Sequence, residues 1–183
     1  MSPSPFVVEW LSRARRAADR RGVPGARRLA LDIATGRGRH ARALTREGFH
    51  TLAVDIDLDA ARDAMRAAAA DGAPCAAWCA DLTRFPLPSA RFDLIVVTRY
   101  LQRDLLASIA GALVPGGLLL YETFTTAQLA HATGPRSPDH LLEPGELRRA
   151  FDGLEVLFYE EVLAPEAVAR LAARRPARAA SRS

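Results

Sequence analysis

Two rhythms of apolar residues alternate along the chain, one suited to helices and one to strands. Phe6, Val7, Trp10, Leu11, Ala14 and Ala18 recur every three to four positions with arginines on the other side, which predicts an amphipathic helix from Pro5 to about Arg20. Gly22-Val23-Pro24-Gly25 then breaks it. Short apolar runs follow at Leu29–Ile33, His50–Asp55, Cys75–Ala80, Phe92–Thr98 and Leu118–Phe124. Between them Arg39–Glu47, Asp57–Ala70 and Arg103–Leu113 carry helix formers, with Gly48 and Pro115-Gly116-Gly117 as stops. Strand, helix and strand packed this tightly is the βαβ pattern, so a parallel sheet with right-handed crossovers is expected. The unbroken aliphatic run of Phe92–Thr98 belongs at the centre of that sheet, buried on both faces.

Beyond Thr125 the pattern dissolves into Ala, Thr, Gly, Pro and Ser as far as Leu142, a stretch long enough to be a lid-like loop or disordered. Glu143–Phe151 reads as a short helix with Pro144 in its first turn. Leu154–Val162 reads as a strand, and 166–174, after the Ala164-Pro165 turn, leaves room for an antiparallel hairpin. The expected fold is α/β: a Rossmann-like, doubly wound, mostly parallel sheet of about seven strands with an antiparallel C-terminal hairpin. One domain is expected over 1–175, with a cap helix within 1–22, a lid-like loop over 125–142 and a basic disordered tail over 176–183.

Composition narrows this picture little. A chain of 183 residues that is 49% hydrophobic supports one core. No apolar run approaches the roughly 20 residues that span a bilayer, and the first residues lack the order of a signal peptide, so a cytoplasmic protein is expected. Cys75 and Cys79 are the only cysteines, too few for a disulfide framework or a four-cysteine zinc site; they are expected to be reduced and buried, and no metal site is expected. The net charge of +4 and pI near 9.8 raise the question of an acidic partner. Yet no lysine occurs, and the arginines cluster at Arg13–Arg28 and Arg170–Arg182, as in a solvated helix face and a chain end. Nucleic acid is therefore not an expected partner, and the chain is expected to be a monomer or homodimer.

The chemistry gathers around Leu29–Ala41. This segment reads as a buried strand, a glycine turn and a helix start, an arrangement that frees backbone amides for a ligand. Gly36-Arg37-Gly38-Arg39-His40-Ala41 fits the G-x-G-x-x-G/A dinucleotide pattern, whereas Asp32 before it points to another cofactor. Asp55 ends the second strand about 20 residues beyond the glycines, where a carboxylate meets ribose hydroxyls. Asp81 follows the third strand. Arg99 and Tyr100 follow the fourth, and Glu122, Thr123 and Phe124 close the fifth, all at the sheet edge where open α/β folds place ligands.

The succession of Leu31-Asp32-Ile33-Ala34-Thr35-Gly36-Arg37-Gly38, Val54-Asp55, Ala80-Asp81-Leu82, Phe92-Asp93-Leu94-Ile95 and Leu113-Val114-Pro115-Gly116-Gly117 resembles the class I S-adenosylmethionine-dependent methyltransferases. Pro144-Gly145-Glu146-Leu147-Arg148-Arg149 and Tyr159-Glu160-Glu161 look like the small tellurite-resistance type within that class. Ala34 stands where the family's loop has its first glycine, which fits the turn if its φ is negative. The resemblance implies S-adenosylmethionine as cofactor and S-adenosylhomocysteine as product. It implies Asp32 toward the ammonium, directly or through water, and Ala34, Thr35, Gly36 and Gly38 beside the methionine part. Asp55 would take both ribose hydroxyls, Ile56 the adenine face, Asp81 the adenine amino group and the Leu82 amide a ring nitrogen. Thr98 completes the implied cofactor set.

The implied reaction is in-line methyl transfer to a small-molecule acceptor, an oxyanion, thiol or metabolite, for which alignment in a dry pocket can suffice without a base. Where a proton must leave, His131, His140, Tyr100 and Glu122 are the candidate bases; for an anionic acceptor, Arg99 or Arg136 are candidate anchors. Two other readings compete. An NAD(P)-dependent oxidoreductase explains the glycines and Asp55 but leaves Asp32 and Asp81 without a task. A non-catalytic nucleotide- or RNA-binding module explains the basic ends, yet no aromatic residue accompanies the arginines of 174–178.

Overall fold

A computed structural model describes residues 2–19, 27–72 and 75–177. Seven strands form one sheet: β1 (Leu29–Ile33), β2 (His50–Asp55), β3 (Cys75–Cys79), β4 (Phe92–Thr98), β5 (Leu113–Phe124), β6 (Glu155–Val162) and β7 (Val168–Arg174). Their order is β3-β2-β1-β4-β5-β7-β6. The first five run parallel, and β7 is antiparallel to both β5 and β6. This is the mostly parallel, Rossmann-like sheet with a C-terminal antiparallel hairpin that the pattern predicts. β4 lies in the middle, where its unbroken aliphatic run is covered on both faces.

Side-chain alternation divides the core in two. Leu31, Ile33, Ile95, Val97, Leu119 and Tyr121 point to one face. They pack under α4 (Leu106–Ala112) and α5 (Glu146–Ala150) through Ile109, Leu147 and Phe151. Ala30, Leu94, Val96, Leu118 and Leu120 point to the other. There α1 (Pro5–Asp19) buries Phe6, Val7, Trp10, Leu11, Ala14 and Ala18, all of the predicted apolar stripe. Phe6 and Trp10 also meet Phe158 of β6, at 5.9 and 6.1 Å between ring centroids. The helix therefore covers a sheet face. On the same side lie α2 (Arg39–Arg46) and α3 (Leu58–Ala69). Asp57 caps α3 by accepting from the Asp59 and Ala60 amides.

Several local expectations are corrected. Cys75 is half-buried and Cys79 exposed, because β3 is an edge strand whose pairing ends with β2. The helix expected from Glu143 begins at Glu146: Gly145 adopts φ +70, and the Pro144 carbonyl accepts from the Arg149 guanidinium instead of entering the helix. Pro115-Gly116-Gly117 lies inside β5, where the register with β4 shifts between Phe92 and Leu94. A Cβ at Gly117 would stand 2.9 Å from the Phe92 carbonyl oxygen, so the slip needs glycine. The 125–142 segment is built of short 3-10 turns at Thr126–Ala130 and Pro138–His140. A bridge between Thr125 and Leu142 closes its base, and the buried Gln128 amide donates to Thr133 O and accepts from Ala167 N. The Gly22–Gly25 break and most of the expected basic tail fall outside the described residues. Among the described residues no helix is long and apolar enough to cross a membrane.

Gly38 fixes the seat of α2 on α3. Its φ is +74, and a Cβ there would lie 2.5 Å from Ala64 Cα, a backbone atom that cannot step aside. Gly38→Ala combines a left-handed alanine, about 1–2 kcal/mol, with overpacking of about 1–3 kcal/mol. Urea denaturation should show it at least about 2 kcal/mol less stable than the wild type, with an unchanged slope.

Candidate active site

The carboxyl ends of the parallel strands meet the glycine turn at one edge of the sheet. Asp32 ends β1 and is 1% exposed. Its Oδ2 accepts from Thr35 Oγ1 at 2.6 Å and from the Ala41 amide at 3.0 Å, so one carboxylate oxygen ties the strand to the turn and to the first turn of α2. Burial raises this carboxyl to about 7; the two hydrogen bonds and the Arg39 charge lower it only in part. The chain then crosses toward β2. Thr35 N donates to Val54 O at 3.1 Å and Gly36 N to Asp55 Oδ2 at 2.9 Å. That crossing overturns one expectation: Ala34 has φ +53, in the left-handed region, not a negative φ.

A cavity of about 410 Å³ opens beside Asp55. Asp55, Ile56, Asp81, Leu82, Tyr100 and Ala34 are among its walls. Asp55 is held by two amides, Gly36 N on Oδ2 and Asp57 N on Oδ1. Asp81 Oδ1 accepts from the amide and hydroxyl of Thr83, which holds its carboxyl below the usual range. Tyr100 joins this group: burial and the Asp81 and Asp55 carboxylates push its phenol up, which leaves it protonated and a poor base.

A second cavity, about 520 Å³, shares Ala34 with the first and is lined by Thr35, Gly36, Arg39, His40, Thr98 and Arg99 among others. His40 and Arg39 were not among the sequence candidates. Ser4 N donates to His40 Nε2 at 3.0 Å, so Nδ1 carries the proton and donates to Thr98 Oγ1 at 3.1 Å. Burial, with Arg39 and Arg99 nearby, lowers this imidazole to about 4, and it stays neutral near pH 7. The signal was present: His40, Ala41, Leu44 and Thr45 form the buried face of α2, and His40 shares that face with Leu44.

The remaining candidates separate. Arg99, with φ +54, pairs with Glu166 at 2.6 Å. Together with Tyr100, Leu101, Phe124, Pro135 and His140 it also lines a further cavity of about 300 Å³. Glu122 is buried and paired with Arg170 at 2.6 Å, and Arg170 also binds Glu160. Arg136 donates to the carbonyls of Leu129 and His131 and so folds its own loop. Neither Arg136 nor His131 lines these cavities. No cluster of metal-ligating side chains occurs among the described residues.

Residues 30–117 match the family described as "Methyltransferase domain". These residues carry a methyltransferase domain, and the fold is that of the class I S-adenosylmethionine-dependent methyltransferases. The cofactor of this methyltransferase is accordingly S-adenosylmethionine. A comparison with curated proteins gives no match. Among solved structures, the fold is similar to the N-methyltransferase NodS of Bradyrhizobium japonicum (TM-score 0.68, 19% identity, 96% of this chain and 99% of that one). It is also similar to an S-adenosylmethionine-dependent methyltransferase of Mesorhizobium loti (0.67, 20%, 92% and 98%) and to TehB of Haemophilus influenzae (0.69, 16%, 90% and 62%). At such identities these likenesses establish the fold.

Two measurements test this local physics. Between pH about 4 and 7 folded Asp32 keeps a proton that the unfolded chain has released, so its burial opposes folding more as pH rises. Compared with Asp32→Asn, the wild type should lose stability through this window, by about 1.4 kcal/mol per pH unit, and the difference should level off below pH 4; paired urea titrations read it. Ala34→Gly relieves about 1–2 kcal/mol of left-handed strain against about 0.4–1 kcal/mol of added unfolded-state entropy. A small rise in melting temperature is expected.

Proposed function

We propose that this methyltransferase transfers the cofactor's methyl group to a small-molecule acceptor, with the nucleoside end of the cofactor in the 410 Å³ cavity and the reacting end in the 520 Å³ cavity. The observation that carries this reading is the division of charge between two cavities that meet at Ala34. The first presents the carboxylates of Asp55 and Asp81, acceptors suited to hydroxyl and amino donors. The second presents Arg39, His40, Thr98 and Arg99. The Leu82 amide has no protein partner among the described residues and lies in the wall where a ring nitrogen would need a donor.

When bound, the cofactor supplies a methyl carbon already activated by an attached sulfonium. The chain's own residues then need only hold, orient and exclude water. Asp55, fixed by two amides, would grip the ribose; Ile56, Leu82 and Tyr100 would enclose the base. Asp32, buried behind the turn and in neither cavity wall, sets the turn's shape. The segment 125–142 contributes Pro135 and His140 to the acceptor side and acts there as a wall or lid. A cytoplasmic location belongs to the same reading.

The oxidoreductase alternative fits less well. In a pyrophosphate site the amides of the first helical turn face phosphate, whereas here the Ala41 amide is taken by the Asp32 carboxylate.

Calorimetry with S-adenosylhomocysteine and with NAD separates the two. S-adenosylhomocysteine should bind and raise the melting temperature, and NAD should do neither; the reverse would sink the proposal. Asp55→Ala removes charged hydrogen bonds worth about 1.5–3 kcal/mol each and should weaken S-adenosylhomocysteine at least about tenfold.

A further inference from the structure

We propose that Arg39 and Arg99 form the anion-binding end of an acceptor site, and that the acceptor is a small carboxylate-bearing molecule with an apolar body seated against Leu101, Phe124 and Pro135. This rests on the methyltransferase reading above and names the substrate class for the same site.

Three observations carry it. First, four arginines line one cavity of about 520 Å³: Arg42 is taken by Asp71 and Arg37 is exposed, which leaves Arg39, partly buried, and Arg99, whose side chain is 41% exposed. Arg39 is only partly exposed and has no ion pair or hydrogen bond from its guanidinium among the described residues. Burial and the Arg99 charge lower its proton affinity, while Glu122, Asp32 and Glu166 act on it only from beyond pairing distance. Positive charge left uncompensated beside a pocket for a cationic cofactor calls for an anion.

Second, Arg99 belongs to both this cavity and the 300 Å³ one. The latter is walled by Tyr100, Leu101, Phe124, Pro135 and His140, and the Arg99 guanidinium lies 5.6 Å from the Phe124 ring centroid. A charged anchor at the mouth of a mostly apolar chamber selects an amphipathic acid over a bare inorganic anion.

Third, Arg99 is free to exchange partners. Its pairing with Glu166 is between side chains 41% and 39% exposed, and such pairs contribute little. The guanidinium fork that now meets one carboxylate matches another bidentately.

The test uses benzoate as a carboxylate on an apolar ring, benzamide as its neutral isostere and sulfate as an anion with no body. Each is titrated into the wild-type protein, with and without saturating S-adenosylhomocysteine, at constant ionic strength. Benzoate should bind, with benzamide and sulfate at least about tenfold weaker. Arg99→Gln and Arg39→Gln should each weaken benzoate by a similar factor, both with and without S-adenosylhomocysteine. Benzamide binding as well as benzoate would overturn the proposal, as would sulfate binding as well or benzoate unchanged in both variants.

5'-Methylthioadenosine, which lacks the amino-acid end, separates the other source of a carboxylate. If Arg39→Gln weakens S-adenosylhomocysteine but neither methylthioadenosine nor benzoate, the arginines serve the cofactor and the acceptor proposal falls. Failure of the methyltransferase reading looks different: the wild type would bind neither nucleoside, while the benzoate series without nucleoside would still report on the arginines.

Discussion

A single carboxylate oxygen organises the working edge of this sheet. Asp32 Oδ2 receives both the Thr35 hydroxyl and the Ala41 amide, so the end of β1, the glycine turn and the start of α2 form one hydrogen-bonded unit. From that unit the Gly36 amide reaches Asp55 at the end of β2, and the left-handed Ala34 becomes the shared wall of two cavities. Each step depends on the one before. A carboxyl buried this deeply is costly to ionise, so it keeps its proton up to about pH 7 while one of its oxygens still receives both donors.

Electrostatics then divides the edge into regions of opposite character. Acids end β2 and follow β3; arginines begin α2 and follow β4. Near neutral pH the imidazole between them adds no charge, since His40 is held well below its ordinary value and spends both ring nitrogens on Ser4 and Thr98. The result is a polarised groove, negative where hydroxyl and amino donors would lie and positive where the reacting end would lie. Glu122, placed among the candidate bases by its strand-end position, is instead drawn into the Arg170 and Glu160 network that fastens β7 and β6 to β5.

Much of this was legible in the sequence because burial leaves a periodic mark. The stripe of α1 and the apolar run of β4 follow directly from the need to cover two faces of one sheet. Residues at strand ends were legible too, since topology alone brings Asp32, Asp55, Arg99 and Glu122 to one edge. What escaped detection depends on contacts between distant segments. The sign of φ at Ala34 is set by hydrogen bonds to β2, not by alanine. Arg39 occupies a variable position of the glycine motif, and nothing local marks it as unpaired. The Pro-Gly-Gly stretch reads as a stop, yet β4 draws it into β5 through a register slip. Gln128, one amide among many in a polar segment, orders 125–142 by reaching Ala167.

The bridge through His40 ties the site to distant parts of the chain. It joins Ser4 to α2 across 36 residues and α2 to the end of β4 across 58. Closing loops of that size costs chain entropy that a lone hydrogen bond does not repay. The bridge therefore persists only while α1 is docked and β4 holds the middle of the sheet. One wall of the groove is in this sense a product of the whole fold, and its integrity reports on the whole domain, not on the turn from which it projects.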